Sequence, residues 1–451
     1  MPSFLKERNV SEQAADIAQG ILEKASRNAD SAEVMYQDSE SHDVHFQDNQ
    51  LKTIGASATR GVGVRVIHRG RIGFSCTNDL DSVDRLIANA LDSALFGQEA
   101  KFQFPGQVVH ASEVKIHDPA VEALSMERAA ATMRDGIDCI RQAYPEAHCG
   151  GGISADWGHT VICNTAGLHH EEFSTNFGMG VGGFLVRGES FLGVEEGEES
   201  SRFSLDVLRH ARKVVEWIRL SEKEARLGEE EMPVLFTPVA LHIPLATFAR
   251  NTNGKTVQKG VSVVTSRVGE RVLDERVTIS DDPLVDYAAG SITVDGEGTP
   301  ARRNVLFERG VLKGFLYDLQ TAGLMGVRST GNAMRGYGSV PHPGNTNFRL
   351  APGRAPYREI LSGIKRGLLI DAALGAGQSN VLKGDFSVTV ELGFLIENGE
   401  IVGRVKDCML AGNAFDAFNH IRDVSAETEW HGSAELPYIC FESLSVAGRG
   451  R

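Results

Sequence analysis

The sequence has few cysteines, and none of them are paired in a motif. The six are Cys76, Cys139, Cys149, Cys163, Cys408 and Cys440, and no C-x-x-C occurs among the 451 residues. A disulfide framework or a zinc knuckle needs closely spaced cysteines in a recognisable pattern. We therefore expect isolated thiols rather than a disulfide-rich scaffold.

Long apolar runs are also missing. No segment approaches the roughly 20 consecutive apolar residues of a membrane span. The N-terminal segment 1–6 lacks an apolar core of the length found in signal peptides. We therefore expect a cytoplasmic protein with no membrane partner.

Positive charge is scarce as well. The chain has 46 lysines and arginines against 60 aspartates and glutamates, which gives a formal net charge of −14 at pH 7. A nucleic-acid surface carries a basic stripe, so we expect no direct nucleic-acid partner. The apolar content of 41% is that of a globular protein, and 451 residues are too many for one ordinary core.

Two common cofactor and nucleophile motifs are absent or misplaced. No G-x-S-x-G occurs, which argues against an α/β-hydrolase elbow. The segment Gly178–Gly183 matches G-x-G-x-x-G, but a β-like segment at 184–186 follows where a dinucleotide site needs a helix. Closely packed, glycine-rich strands explain this segment better.

A peptidase metal motif is missing too. Such a zinc site needs two imidazoles on one helix and a neighbouring carboxylate as general base, yet the chain contains neither H-E-x-x-H nor H-E-x-x-x-H. The tetrad His169–Glu172 is rich in ligand types, but neighbouring residues on a strand point to opposite faces, so it cannot close on one ion unaided. We predict no catalytic residue and no metal site in this chain.

Apolar periodicity predicts an α+β fold. The first hundred residues indicate helices set against an antiparallel sheet. A helix over Ser125–Ala143, glycine-rich strands over Gly150–Gly193 and a helix around Val207–Ile218 follow. We predict an N-terminal α+β domain over residues 1–228, with a further boundary near 100–124, and a β-rich C-terminal domain over 229–451.

The C-terminal half contains the most distinctive sequence segments. Val305–Phe307 and Val311–Tyr317 flank a Glu308-Arg309-Gly310 turn and predict a hairpin, and a helix is predicted over Tyr357–Arg366. With these come the segments Gly298-Thr299-Pro300, Ser329–Ala333, Gly384–Ser387, Ile396–Glu400 and Ala411-Gly412-Asn413. Together they closely resemble the TldD/PmbA family, also described as modulators of DNA gyrase. That family pairs a metal-dependent peptidase with a related subunit that lacks the metal.

The resemblance also implies which branch of the family this chain is closer to. The metal-bearing branch carries H-E-x-x-x-H on a helix shortly before a Lys-Gly-x-Ser segment, here Lys259–Ser262, so the ligand helix should lie near Leu241–Arg250. His242 is followed there by Ile243. The C-terminal Cys ligand of that branch corresponds to His431. His242 and His431 are the metal candidates in these regions, each a lone histidine, and the His169-His170 pair is a further candidate if a metal is borrowed; the chain resembles the metal-free PmbA/TldE branch.

The resemblance also implies a function. We expect a non-catalytic subunit of a TldD-type metallopeptidase, with zinc in the partner subunit and none in this chain. The expected assembly is a hollow homodimer or a heterodimer with a TldD-like paralogue, and its cavity would admit unfolded peptide. The polar loop residues Arg328, Thr330, Asn332 and Arg335 are the candidates for cavity lining, although loop structure explains them equally well.

Two alternatives remain from the sequence. The chain could be a hydrolase on its own, with a histidine-based metal site of non-standard kind. It could also be a non-enzymatic modulator of another macromolecule such as DNA gyrase. Whether the chain is an enzyme by itself is therefore open at this point.

Overall fold

The computed structural model describes residues 3–108, 113–188, 190–378 and 380–448. The first part of the chain forms five helices and six strands within these residues. They are α1 (Ser3–Ala25), β1 (Ser31–Gln47), β2 (Gln50–His68), β3 (Arg71–Thr77), α2 (Val83–Ala94), α3 (Pro119–Glu122), α4 (Met126–Ala143), β4 (His148–Asn164), β5 (His169–Arg187), β6 (Ser190–Ser200) and α5 (Val207–Leu220).

The six strands make one antiparallel sheet in the order β3-β2-β1-β4-β5-β6. Its helix face carries valines and aromatic side chains such as Val34, Tyr36 and Val62, which pack against α1 and α2. Further along the same face, Phe177 and Val181 pack against α4 and α5. The second face carries the alternate residues of each strand, and these are mostly polar or glycine because strand residues alternate between faces.

The rest of the chain forms a second, larger sheet with short helices. Its elements are β7 (Glu224–Ala225), β8 (Glu229–Phe236), α6 (His242–Asn251), α7 (Gly254–Gln258), β9 (Ile279–Asp281), β10 (Asn304–Glu308), β11 (Val311–Leu312), α8 (Leu319–Met325), β12 (Ala333–Met334), β13 (His342–Pro343), β14 (Phe348–Leu350), α9 (Tyr357–Ser362), β15 (Arg366–Leu374), β16 (Asp385–Glu397), β17 (Glu400–Val405), β18 (Cys408–Asn413), α10 (Ala414–Ala417), β19 (Ile421–His431) and β20 (Ala434–Gly448).

In the second sheet, β8 is a central strand between β20 and β15. It pairs antiparallel with β20 and parallel with β15. The core on this sheet is aromatic, with Phe236, Phe248, Phe418 and Phe441 in mutual edge or tilted contact. Phe248 is one of the buried side chains of helix α6, so this core packs the helix against the sheet.

The predicted fold class is confirmed, since an N-terminal helix-and-sheet region precedes a β-rich C-terminal part. Ser125 caps α4 as its side chain accepts the Arg128 N–H at 3.2 Å. The hairpin after Val305 is shorter than predicted, because β11 ends at Leu312. The helix predicted to Arg366 was wrong at its end: α9 stops at Ser362, and Arg366 begins strand β15.

No helix among the described residues is long and apolar enough to cross a membrane.

Candidate functional site

Helix α6 places His242 on its exposed side. Ile243, Leu245 and Phe248 are buried in the core, whereas His242 and Ala246, one turn later, are exposed. Nδ1 of His242 donates a hydrogen bond to the Val239 carbonyl oxygen. The carbonyl can only accept, so Nδ1 carries the proton and Nε2 keeps a lone pair toward solvent.

His431 lies at the end of β19, at the turn that leads into β20. This turn passes through Gly432, which has a positive φ of 54°. The turn lies against β6, because a Cβ on Gly432 would lie 3.8 Å from Glu199 Oε2. Desolvation lowers the pKa of His431, and repulsion from His242 in its protonated form lowers it further, while Glu196 and Glu199 act in the opposite direction. His242 and His431 are therefore close enough to influence each other electrostatically.

Two imidazoles do not complete a peptidase metal site. A catalytic zinc is held by three protein ligands and served by a general base. After His242 stands the buried, apolar Ile243, and the two later positions where a second helical histidine could lie are held by Ala246 and Thr247. Within the described residues, no group of three or more His, Cys, Asp or Glu side chains could hold an ion. The donor set at this site does not fit a catalytic zinc.

A half-buried polar network lies beside the His431 turn. Lys213 on α5 bridges Glu196 on β6 at 3.3 Å and Glu429 on β19 at 3.0 Å. Tyr438 Oη donates to Glu429 at 2.5 Å. Since Glu429 is two residues before His431, this network ties the histidine-bearing strand to the first sheet.

Asp371 on β15 belongs to the same neighbourhood. Its side chain is buried, and burial raises its pKa to about 6, against the opposing effect of a hydrogen bond from Thr237. The nearby negative charge of Glu196 raises the pKa as well. No sequence pattern indicates this cluster, since its members come from strands and helices far apart in the chain.

Of the four loop candidates, Arg328 is exposed. Thr330 is used within the fold: its Oγ1 accepts the Tyr317 N–H at 2.7 Å and donates to the Tyr317 carbonyl at 3.1 Å. Asn332 is fully buried, and its Nδ2 donates to Asp281 Oδ2 at 2.6 Å. These contacts are those of loop structure, one of the two roles that the sequence left open.

Arg335 joins the two sheets. Its Nη2 lies 2.6 Å from Glu33 Oε1, and Arg65 Nη2 lies 3.1 Å from the same oxygen. Arg65 also pairs with Glu297 at 2.5 Å. All four side chains are buried, so the predicted polar loop serves to dock the C-terminal part on the first sheet.

The loop that follows Arg335 also explains why β2 contains glycines. Gly61, Gly63 and Arg65 share the second face of the sheet, and the loop after Arg335 crosses them. A Cβ on Gly61 would lie 2.1 Å from Tyr337 Cε2, which is an impossible distance. Glycine is therefore required where Tyr337 lies flat on the strand.

Next to Tyr337, a groove opens on the second face of the first sheet. We call it the sheet groove; it has a volume of about 400 Å³. Its floor comes from β1, β4 and β5, and the segment 289–292 forms the wall opposite Tyr337. Polar residues of the floor include Gln37, Asp156, Glu172, Ser174 and Asn176. Sequence analysis missed this groove, although polar residues alternating along β4 and β5 were its signal.

Structural comparison defines the class of protein first. The crystal structure of TldE from Thermococcus kodakarensis matches with a TM-score of 0.89 and 24% identity, over 96% of this chain and 100% of that chain. This level of identity shows the fold, and the chain is thus an α+β protein with the TldE fold.

Sequence comparison then gives the family. Residues 229–448 match the PmbA/TldA metallopeptidase C-terminal domain, and residues 32–94 match domain 1 of the same family. An uncharacterized protein of Methanocaldococcus jannaschii is 29% identical over 420 residues, which cover 91% of this chain and 95% of that protein. A metalloprotease TldD homolog of Haemophilus influenzae is 25% identical over 429 residues, 89% and 87% of the two chains. The chain belongs to the PmbA/TldD family.

Proposed function

We propose that this chain is the subunit of a PmbA/TldD-type metallopeptidase that lacks its own catalytic metal, and that it forms part of the cavity that admits unfolded peptide. Zinc and the general base would be supplied by a metal-bearing paralogue. In a heterodimer of this kind, our chain contributes binding surface and the paralogue contributes the chemistry.

The observation that carries the proposal is the side-chain set at helix α6. His242 and His431 influence each other electrostatically, but Ile243 takes the place of the general base and Ala246 and Thr247 take the places of a second helical ligand. None of these three side chains is a usual zinc ligand or can act as the carboxylate that activates water. The fold around the site is intact, which supports a retained role in binding rather than in catalysis.

A subunit without catalysis still needs a way to hold peptide. The sheet groove offers a floor of strands with polar side chains and lies on the same sheet as Glu199, the carboxylate that acts on His431. Extended peptides bind such surfaces through backbone hydrogen bonds and a few side-chain pockets. This mode tolerates many sequences and suits unfolded substrates.

Copurification tests the partnership. The tagged chain is expressed in its native cell, captured, and its partners are identified by mass spectrometry. We expect a paralogue that carries H-E-x-x-x-H at a ratio near one to one. Recovery of the chain as a homodimer with full peptidase activity would contradict the proposal.

A second function is favoured by one observation. His242 and His431 influence each other electrostatically, and Nε2 of His242 is outside its carbonyl contact, so the pair offers two candidates for the three ligands that a hydrolytic zinc needs. A third ligand from another subunit would make the chain an enzyme with a shared metal site. Zinc content of the purified chain, with and without its partner, separates this candidate from the first.

A further inference from the structure

We propose that the sheet groove takes the basic side chain of an extended peptide, with Asp156 as the carboxylate that pairs with its ammonium or guanidinium group. This inference rests on the proposed function, because it takes peptide as the occupant. It adds the class of substrate, namely peptides with a lysine or arginine.

The charge of the groove supports a cationic occupant. Three carboxylates line it, from Asp38, Asp156 and Glu172, and no lysine, arginine or histidine lines it among the residues that the structure describes. A cleft lined by charge of one sign concentrates ligands of the opposite sign. The groove is thus built for a cation rather than for an acidic or neutral group.

Two of these carboxylates already have partners. Asp38 accepts a hydrogen bond from Tyr36 Oη at 3.3 Å and lies 3.8 Å from Arg60 Nη2. Glu172 Oε2 lies 3.6 Å from His170 Nε2 and accepts the Thr293 N–H at 3.3 Å.

Asp156 differs from both. It is half-buried, and its carboxylate makes no hydrogen bond or ion pair with any described residue. A half-buried carboxylate without a cation loses hydration and gains nothing in return. A basic side chain of the ligand would supply the missing partner.

The position of Asp156 links the groove to the histidine pair. On the second face of the sheet, Asp156 of β4 lies directly opposite Asn176 of β5. Asn176 Nδ2 donates to Glu199 Oε1 on β6 at 3.3 Å, and Glu199 is a carboxylate that acts on His431. A peptide anchored at Asp156 could therefore cross β5 and β6 toward His242 and His431.

Fluorescence anisotropy tests the assignment. The probe is a labelled, unstructured peptide of alternating glycine and serine with one central lysine, and the reference is the same peptide with glutamine in that place. The variant is Asp156→Asn, which removes the charge and keeps the shape. Asp138→Asn, on the exposed side of α4, removes the same charge away from the groove and serves as the matched control.

We expect the wild-type chain to prefer the lysine peptide. Asp156→Asn should weaken binding of that peptide about tenfold, as for loss of a charged hydrogen bond at a half-exposed site, and should leave the glutamine peptide unchanged. Asp138→Asn should change neither. Thermal melts of the variants check that the fold is kept.

Each other result counts against the inference. Equal binding of the two peptides by the wild-type chain, or an Asp156→Asn variant that keeps the preference, would overturn it while leaving the proposed peptide-binding function standing. Binding of neither peptide would overturn both. Competition by spermidine that depends on Asp156, without lysine-peptide binding, would assign the groove to a free polyamine and overturn the peptide version.

Discussion

Arg335 Nη2 lies 2.6 Å from Glu33 Oε1, and the two side chains are buried although their positions are far apart in the chain. Glu33 belongs to the first strand of the first sheet, whereas Arg335 follows strand β12 of the C-terminal part. Because Arg65 shares the same glutamate, this contact is the centre of a buried network that holds the two parts together.

Removal of the Arg335 side-chain charge should lower the stability of the fold. Arg335→Met leaves Glu33 buried with one of its two cations, and loss of one partner from a buried ion pair costs about 3–5 kcal/mol. Chemical denaturation should show this decrease in the free energy of unfolding. The exposed Arg328→Met is the control and should change stability by less than about 0.5 kcal/mol. Equal stability of the two variants would show that the buried network does not hold the interface.

Gly61 should resist substitution by alanine. The added Cβ would overlap the ring of Tyr337, so Gly61→Ala should destabilise by about 1–3 kcal/mol, and the double variant Gly61→Ala, Tyr337→Ser should recover part of that loss. Gly20→Ala is the control, because nothing lies within 4 Å of a Cβ there and the site is in helix α1. This control should be neutral or stabilising by up to about 1 kcal/mol. A tolerated Gly61→Ala would refute the docking of the loop on β2.

Asp371 should make stability depend on pH. Its folded-state pKa of about 6 is raised from 3.8 by burial, so the folded chain binds this proton more tightly than the unfolded chain does. Its contribution to stability is present below about pH 4 and is lost as pH rises through about 6. A rise of the pKa from 3.8 to about 6 corresponds to roughly 3 kcal/mol.

The variant Asp371→Asn has no carboxyl proton to lose at this position, so it avoids the decrease in stability that wild type shows as pH rises. We therefore expect it to unfold at a higher denaturant concentration than wild type at neutral pH, with the difference shrinking as pH falls below 6. Asp138→Asn controls for net charge and should follow wild type throughout. If the difference in stability between Asp371→Asn and wild type stays the same at every pH, Asp371 does not titrate in this range.

The convergence of the two histidines can be tested by adding a ligand. Ala246→His places a second imidazole one turn after His242 on the exposed side of α6, and three imidazoles suffice to bind zinc. We expect zinc affinity to rise at least about a hundredfold over wild type and over Ala246→Gln, as measured by calorimetry, in line with a stepwise gain of ligands. Combination with His431→Ala should abolish the gain. No gain would show that His431 lies too far from helix α6.

Sequence patterns predicted the local parts of this structure well. The helix that starts at Ser125 and the long helix α5 follow from short-range rules of sequence periodicity, whereas helix α6 was expected only from the family resemblance. Strand β15 was missed because a short apolar run over Gly367–Ile370 is equally compatible with a buried helix.

The contacts that define the site were beyond those rules. His242 and His431 influence each other although they lie far apart in the chain, and Arg335 meets Glu33 only when the loop crosses β2. The sheet groove needs the register of β4 on β5, which places Asp156 opposite Asn176. Long-range pairing of this kind leaves no local pattern in the sequence.

The measurement that tests the central claim most directly is peptide hydrolysis by the purified chain, alone and mixed with its metal-bearing paralogue, with zinc content determined on the same samples. We predict no turnover and substoichiometric zinc for the chain alone, and EDTA-sensitive turnover for the mixture. Chelator-sensitive hydrolysis by the chain alone, lost in His242→Ala and in His431→Ala, would contradict the account.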